Sequence, residues 1–341
     1  MNIYRLKNPS KALPILAMVV LTSVSAHATA LLVGNFVAGD ESVKRYNVTT
    51  GASEGDFVPN GSGGLTFPLG GAIGPDGNLY VSNSDNEDVL RYNGMTGAFI
   101  DAFVPSGSGG LEDPASLIFR NGFLYVANSS DPGAVSRFNA TTGAPAGFFV
   151  TPGSGGLVDP EGMVFGPDGN LYVTNGSSVL RFNGTTGAFI DTFVAPNSGG
   201  LTNTRGIIFG HDGNLLVANF NFAGGGILRY NGTTGAFIDS FVVSGSGGLS
   251  SPRPLIFGPD SNLYVGDYGN GSVLRYNGTT GSFIDQFVPP GSGNLVGPTF
   301  LVFDPNTDGV AGVPETSSTL TFLGMSLAGL AYFARIRRAA V

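Results

Sequence analysis

The 341-residue chain has no cysteine, no tryptophan and two histidines, and only 12% of its residues are charged. Each shortage excludes something. Without cysteine there is no disulfide framework, no thiolate nucleophile and no thiolate-held metal. With two histidines, His27 and His211, imidazole acid–base chemistry has almost no candidates. No Ala/Leu/Glu/Lys-rich helical segment occurs between residues 31 and 309, which argues against a helical or α/β body. Basic residues are scarce there too. Ten Lys and Arg stand against twenty-three Asp and Glu, a body charge near −13. Nucleic acid and anionic membrane surfaces are poor partners for such a surface.

The two ends read differently from the body. Arg5, Lys7 and Lys11 precede an apolar run over 12–24, and the small residues of "SAHATA" follow. That order predicts a secretory signal peptide over 1–30, cleaved at Ala-His-Ala or Ala-Thr-Ala. At the other end "TLTFLGMSLAGLAYFA" (319–334) precedes Arg335, Arg337 and Arg338. As a helix it would be roughly 24 Å long, a short transmembrane span with its basic flank on the cytoplasmic side. The expected organisation is a leader (1–30), a body (31–309) and a tail (310–341).

The body has abundant glycine, 55 of 341 residues in the whole chain, and it repeats itself. "LRFNGTTGAFIDTF" (180–193), "LRYNGTTGAFIDSF" (228–241) and "LRYNGTTGSFIDQF" (274–287) are near copies, with looser ones at 44–57, 90–103 and 136–149. Aligned on the "LYV" run, Leu32, Tyr80, Tyr125, Tyr172, Leu216 and Tyr264 fall at spacings of 48, 45, 47, 44 and 48. A period in the forties points to a propeller or a solenoid. Each unit reads as four short strands. In one unit these are "GMVF", a "PDGN" turn, "LYVTN", "SVLRFN", and "GAFIDTFV" after an Asn-Gly-Thr-Thr-Gly hairpin.

The ends decide the topology. Second, third and fourth strands begin at Leu31 with no first strand before them, while "FLVF" (300–303) has no partners after it. Six first strands then match six outer sets, and the C-terminal strand completes the N-terminal unit. The expectation is an all-β, six-bladed β-propeller of four-stranded antiparallel blades, closed by its last strand.

The "PDGNLYVxN…SVLRYN…TG" pattern, over about 31–303, resembles NHL-type six-bladed propellers; WD-type and kelch signatures are missing. The tail is similar to a PEP-CTERM sorting signal, with Val313, Pro314 and Glu315 as its head and Thr316 following. That second resemblance implies handling by an exosortase at the inner membrane, and release or anchoring in the extracellular polysaccharide matrix of a Gram-negative bacterium.

Residues present in every unit make poor site candidates, because a single site breaks the symmetry. The third-strand arginines (Arg45, Arg91, Arg137, Arg181, Arg229, Arg275) and the "FIDxF" aspartates (Asp101, Asp191, Asp239, Asp285) predict structural Arg–Asp pairing. The residues ending the second strands, Asn35, Asn83, Asn128, Asn175, Asn219 and Asp267, read as turn caps. The Gly-Ser-Gly-Gly segments read as flexible crossovers rather than phosphate loops, since no Lys and no helix follow.

The informative column is the one that varies. Leu69, Ala115, Glu161, Arg205, Arg253 and Thr299 occupy the place where each chain crossover enters the next first strand, at the mouth of a central channel. Glu161, Arg205 and Arg253 are its charges, from consecutive blades, and predict either an anion- or sugar-binding site or a salt-bridged rim. Propellers resembling gluconolactonases hold a divalent metal in this column. Here only Glu161 is suited to that, beside two arginines that repel a cation. Lyases resembling virginiamycin B lyase need a mouth histidine and a metal, and His211 lies in an opposite-face turn. The reading is therefore a non-enzymatic binding or scaffold module, with a metal-assisted lactonase or lyase using Glu161 as the alternative. For Ca2+ there are two weak candidates: Asp304, Asn306 and Asp308, in a run that fits the EF-hand spacing, and Asp85, Glu87 and Asp88.

Overall fold

In the computed structural model, which describes residues 30–222 and 224–305, the repeat becomes six four-stranded antiparallel sheets. Blade 1 is built from both ends of the body, in the order Pro298–Asp304, Ala30–Asn35, Ser42–Asn47 and Ser53–Val58. Blades 2 to 6 follow in sequence, with first strands Pro68–Ile73, Pro114–Arg120, Met163–Phe165, Thr204–Phe209 and Pro252–Phe257. These first strands touch one another in a closed circle around the axis, and the strand Pro298–Asp304 sits between the first and last of them. Its ladder to Ala30–Asn35 pairs Leu31 with Phe303 and Val33 with Leu301. The chain is a six-bladed β-propeller closed by its C-terminal strand.

Apolar side chains are distributed as a ring of interfaces rather than a single core. Six buried clusters each join two neighbouring blades. One places Tyr172, Val179 and Phe193 of blade 4 against Ile207, Leu215 and Val217 of blade 5. Another joins Tyr264 and Phe287 of blade 6 to Leu31, Val33 and Tyr46 of blade 1. This explains the sequence pattern strand by strand. Second strands such as Leu79–Asn83 are buried on both faces, whereas fourth strands such as Phe189–Val194 are exposed until their last two residues. The arginine pairing holds as a cross-strand contact within the blade. In blade 2 the Arg91 guanidinium donates from Nε and Nη2 to the two Asp101 oxygens at 3.0 and 2.6 Å.

The glycine-rich crossovers take up defined local structure. Each contains a short 3-10 turn. The Ser62 carbonyl accepts a hydrogen bond from Tyr92 Oη of the following blade at 2.9 Å, and Ser198, Ser246 and Ser292 are held in the same way by Tyr230, Tyr276 and Tyr46. The residues ending the second strands also do more than cap their own turns. Asn83 Oδ1 accepts from the backbone N–H of Thr66 and Phe67, and Asp267 accepts from Ser250 and Ser251. They anchor the incoming crossover and so fix where each first strand begins. That placement sets the geometry of the mouth.

Candidate functional site

Five of the six residues of the varying column line one cavity of about 170 Å³ on the axis: Leu69, Glu161, Arg205, Arg253 and Thr299. The sixth, Ala115, is buried beside it, its carbonyl accepting from Ser82 Oγ at 2.6 Å. The three charges meet. Arg205 Nη1 lies 2.7 Å from Glu161 Oε1, and Arg253 Nη2 donates to Glu161 Oε2 at 2.8 Å. One carboxylate thus bridges guanidiniums from the two following blades, which leaves a net charge of +1 on a body near −13. All three side chains are largely withdrawn from water, at 12–18% exposure.

Burial lowers the Arg205 pKa; Glu161 opposes that shift, while Arg253 adds to it. An arginine remains charged regardless. It is therefore a cation with costly desolvation, one shared counter-ion in contact, and Asp159 supporting its charge without an ion-pair contact. Its Nε, buried, has no hydrogen-bond partner among the described residues, and neither does the Oγ1 of Thr299.

Aromatic rings that the sequence reading did not single out complete the mouth. They come from the loops between second and third strands. Arg205 stacks over Phe220 at 5.2 Å and Arg253 over Tyr268 at 5.4 Å. Phe222, 70% exposed, packs edge-on against Phe220. The available signal was the loop "NFNFAGGG" (219–226), which carries two phenylalanines and breaks the repeat. Across the channel the rim is acidic. Burial, together with Asp85, Glu112 and Asp159, raises the pKa of Asp113.

The remaining candidates are placed as follows. His211 sits in the turn joining the first two strands of blade 5, stacked on Phe257 at 4.4 Å and away from the mouth. Both oxygens of Glu161, the residue on which the lactonase-like alternative depends, are engaged by guanidiniums. Asp85, Glu87 and Asp88 do not converge as a Ca2+ site: Glu87 is turned into a left-handed conformation and Asp88 is bonded to Asn83. Among the described residues no three His, Cys, Asp or Glu side chains group to hold a metal. Asp304 ends the closing strand, buried. Asn306, Asp308 and the sorting residues Val313, Pro314 and Glu315 lie outside the described residues, as do the leader and tail.

No family model and no curated protein matches the sequence. Solved structures do match. The chain superposes on a chain of the nidogen/laminin complex with a TM-score of 0.60 at 16% identity, covering 80% of this chain and 97% of that one. A protein of unknown function from Bacteroides caccae gives 0.58 at 16% identity, over 80% and 98%. The likeness is one of fold. Virginiamycin B lyase from Staphylococcus aureus superposes at 0.44 with 15% identity over 62% and 67%, too loosely to bear on activity.

Proposed function

We propose that the protein is an exported NHL-like propeller acting as a non-enzymatic binding module in the extracellular polysaccharide matrix, or at the surface, of a Gram-negative bacterium. The leader over 1–30 and the PEP-CTERM-like tail, a substrate for an exosortase-type enzyme at the inner membrane, support the address. The observation that carries the binding role is the mouth. Blades 4, 5 and 6 break an otherwise repetitive sequence to place Glu161, Arg205 and Arg253 on one cavity, beside aromatic rings of which Phe222 is exposed. Guanidiniums supply directional donors, and flat rings supply apolar faces; together these suit a carbohydrate or a protein loop.

The test is retention of the purified full-length chain on immobilised matrix polysaccharide, beside assays for small-ester and lactone turnover. Binding without turnover, lost when Glu161, Arg205 and Arg253 are all replaced by alanine in a chain that still melts cooperatively, is the expected result. Turnover, or binding indifferent to the triple replacement, overturns it.

A further inference from the structure

We infer that the mouth selects saccharides carrying a single carboxylate, which would join Glu161 beside the two arginines. The inference rests on the binding role proposed above and narrows its ligand class. Two independent observations converge on it.

The first is charge. Two guanidiniums share one carboxylate, so the site is short by one negative charge, and Arg253 lowers the pKa of Arg205 rather than supporting it. A second carboxylate would restore neutrality, with a guanidinium able to bind it through two parallel hydrogen bonds. The second is the wall of rings. Phe222, Phe220 and Tyr268 form a continuous apolar shelf beside the arginines, with Phe222 standing into solvent. A sugar ring on that shelf would direct its substituents toward the guanidiniums.

The acids of the rim set the upper limit on ligand charge. Asp85, Glu112 and Asp159 all act, after burial, to raise the carboxyl of Asp113, so four acidic side chains gather there. A polyanion crossing the mouth would meet that cluster, with like charges repelling. One carboxylate fits; a run of them is repelled.

Calorimetry on the full-length chain can test this with a disaccharide carrying one glucuronate, the same disaccharide with its carboxyl reduced to the alcohol, and a hexagalacturonate. The uronate disaccharide should bind roughly tenfold or more tighter than the reduced one, the scale of a hydrogen bond to a charged group. It should also bind tighter than the hexamer. Arg253→Gln should abolish that preference. Equal binding of the acid and its reduced form overturns the inference while leaving a carbohydrate-binding mouth intact. Preference for the hexamer overturns it as well. Failure of all three saccharides, with matrix polysaccharide still retained, rejects the ligand class alone; failure of both rejects the binding role.

Discussion

Gly97 and Gly107 have nearly the same backbone angle, φ +70° and +71°, and very different surroundings. A Cβ on Gly97 would stand 1.7 Å from the Phe57 carbonyl oxygen of the preceding blade, whereas a Cβ on Gly107 would meet nothing within 4 Å. The same approach recurs at Gly51, Gly187, Gly235 and Gly281. The glycine of the repeated Asn-Gly-Thr-Thr-Gly hairpin is therefore an inter-blade contact as well as a turn residue. Gly107→Ala should lose about 1 kcal/mol, the left-handed penalty alone. Gly97→Ala adds a backbone collision and should lose about 3 kcal/mol or more. Urea midpoints of the two variants decide it; equal losses would mean that the blades part without resistance at this contact.

The turn between first and second strands gives the chain its response to acid. Burial alone would raise the carboxyl of Asp76, but Asn78, Tyr80 and Arg91 together hold it below the usual range. Asp168, Asp212 and Asp260 are lowered in their own blades by equivalent neighbours. A depressed carboxylate contributes stability that is present above the unfolded pKa and lost as pH falls through the folded one. Asp88 and Asp113, raised chiefly by burial, act the other way, since protonation relieves them. Denaturation midpoints followed downward from pH 7 should hold or rise slightly, then fall once the pH passes below about 4, the ordinary aspartate value. A steady loss beginning at pH 6 would contradict these assignments.

Elements of this kind were legible in the sequence because a turn signature and a period-two strand are local. The "PDGN" turns, the Arg–Asp pairs and the strand order could all be read from residue spacing. What "NFNFAGGG" presents to Arg205 depends on a loop path, which is not local. The column Glu161, Arg205 and Arg253 was found because repetition makes exceptions visible. That one carboxylate would bridge both arginines followed only from the ring geometry.

Closure is a property of the whole ring. Pro298–Asp304 supplies blade 1 with its axial strand, and Phe300 and Leu301 enter the clusters that join blade 1 to blades 2 and 6. Just before it, the Val296 and Gly297 N–H groups donate to Asn35 Oδ1. Without that strand, Ala30–Asn35, wholly buried in the ring, would become an unprotected edge. Two of the six interfaces would open at once. In an open solenoid, stability is close to a sum over neighbouring repeats, so losing a terminal strand would be a modest subtraction. A ring has no terminal repeat to lose. Ending the chain after residue 297 should therefore leave no folded monomer, seen as aggregation on gel filtration with loss of the cooperative melt. Ending it after residue 305 should leave the melting temperature unchanged, since both partners of every ring contact named above remain. A monomeric, cooperatively melting protein from the shorter chain would show that five complete blades hold together without closure, and the closed ring would then not be the source of stability in a protein with no disulfides.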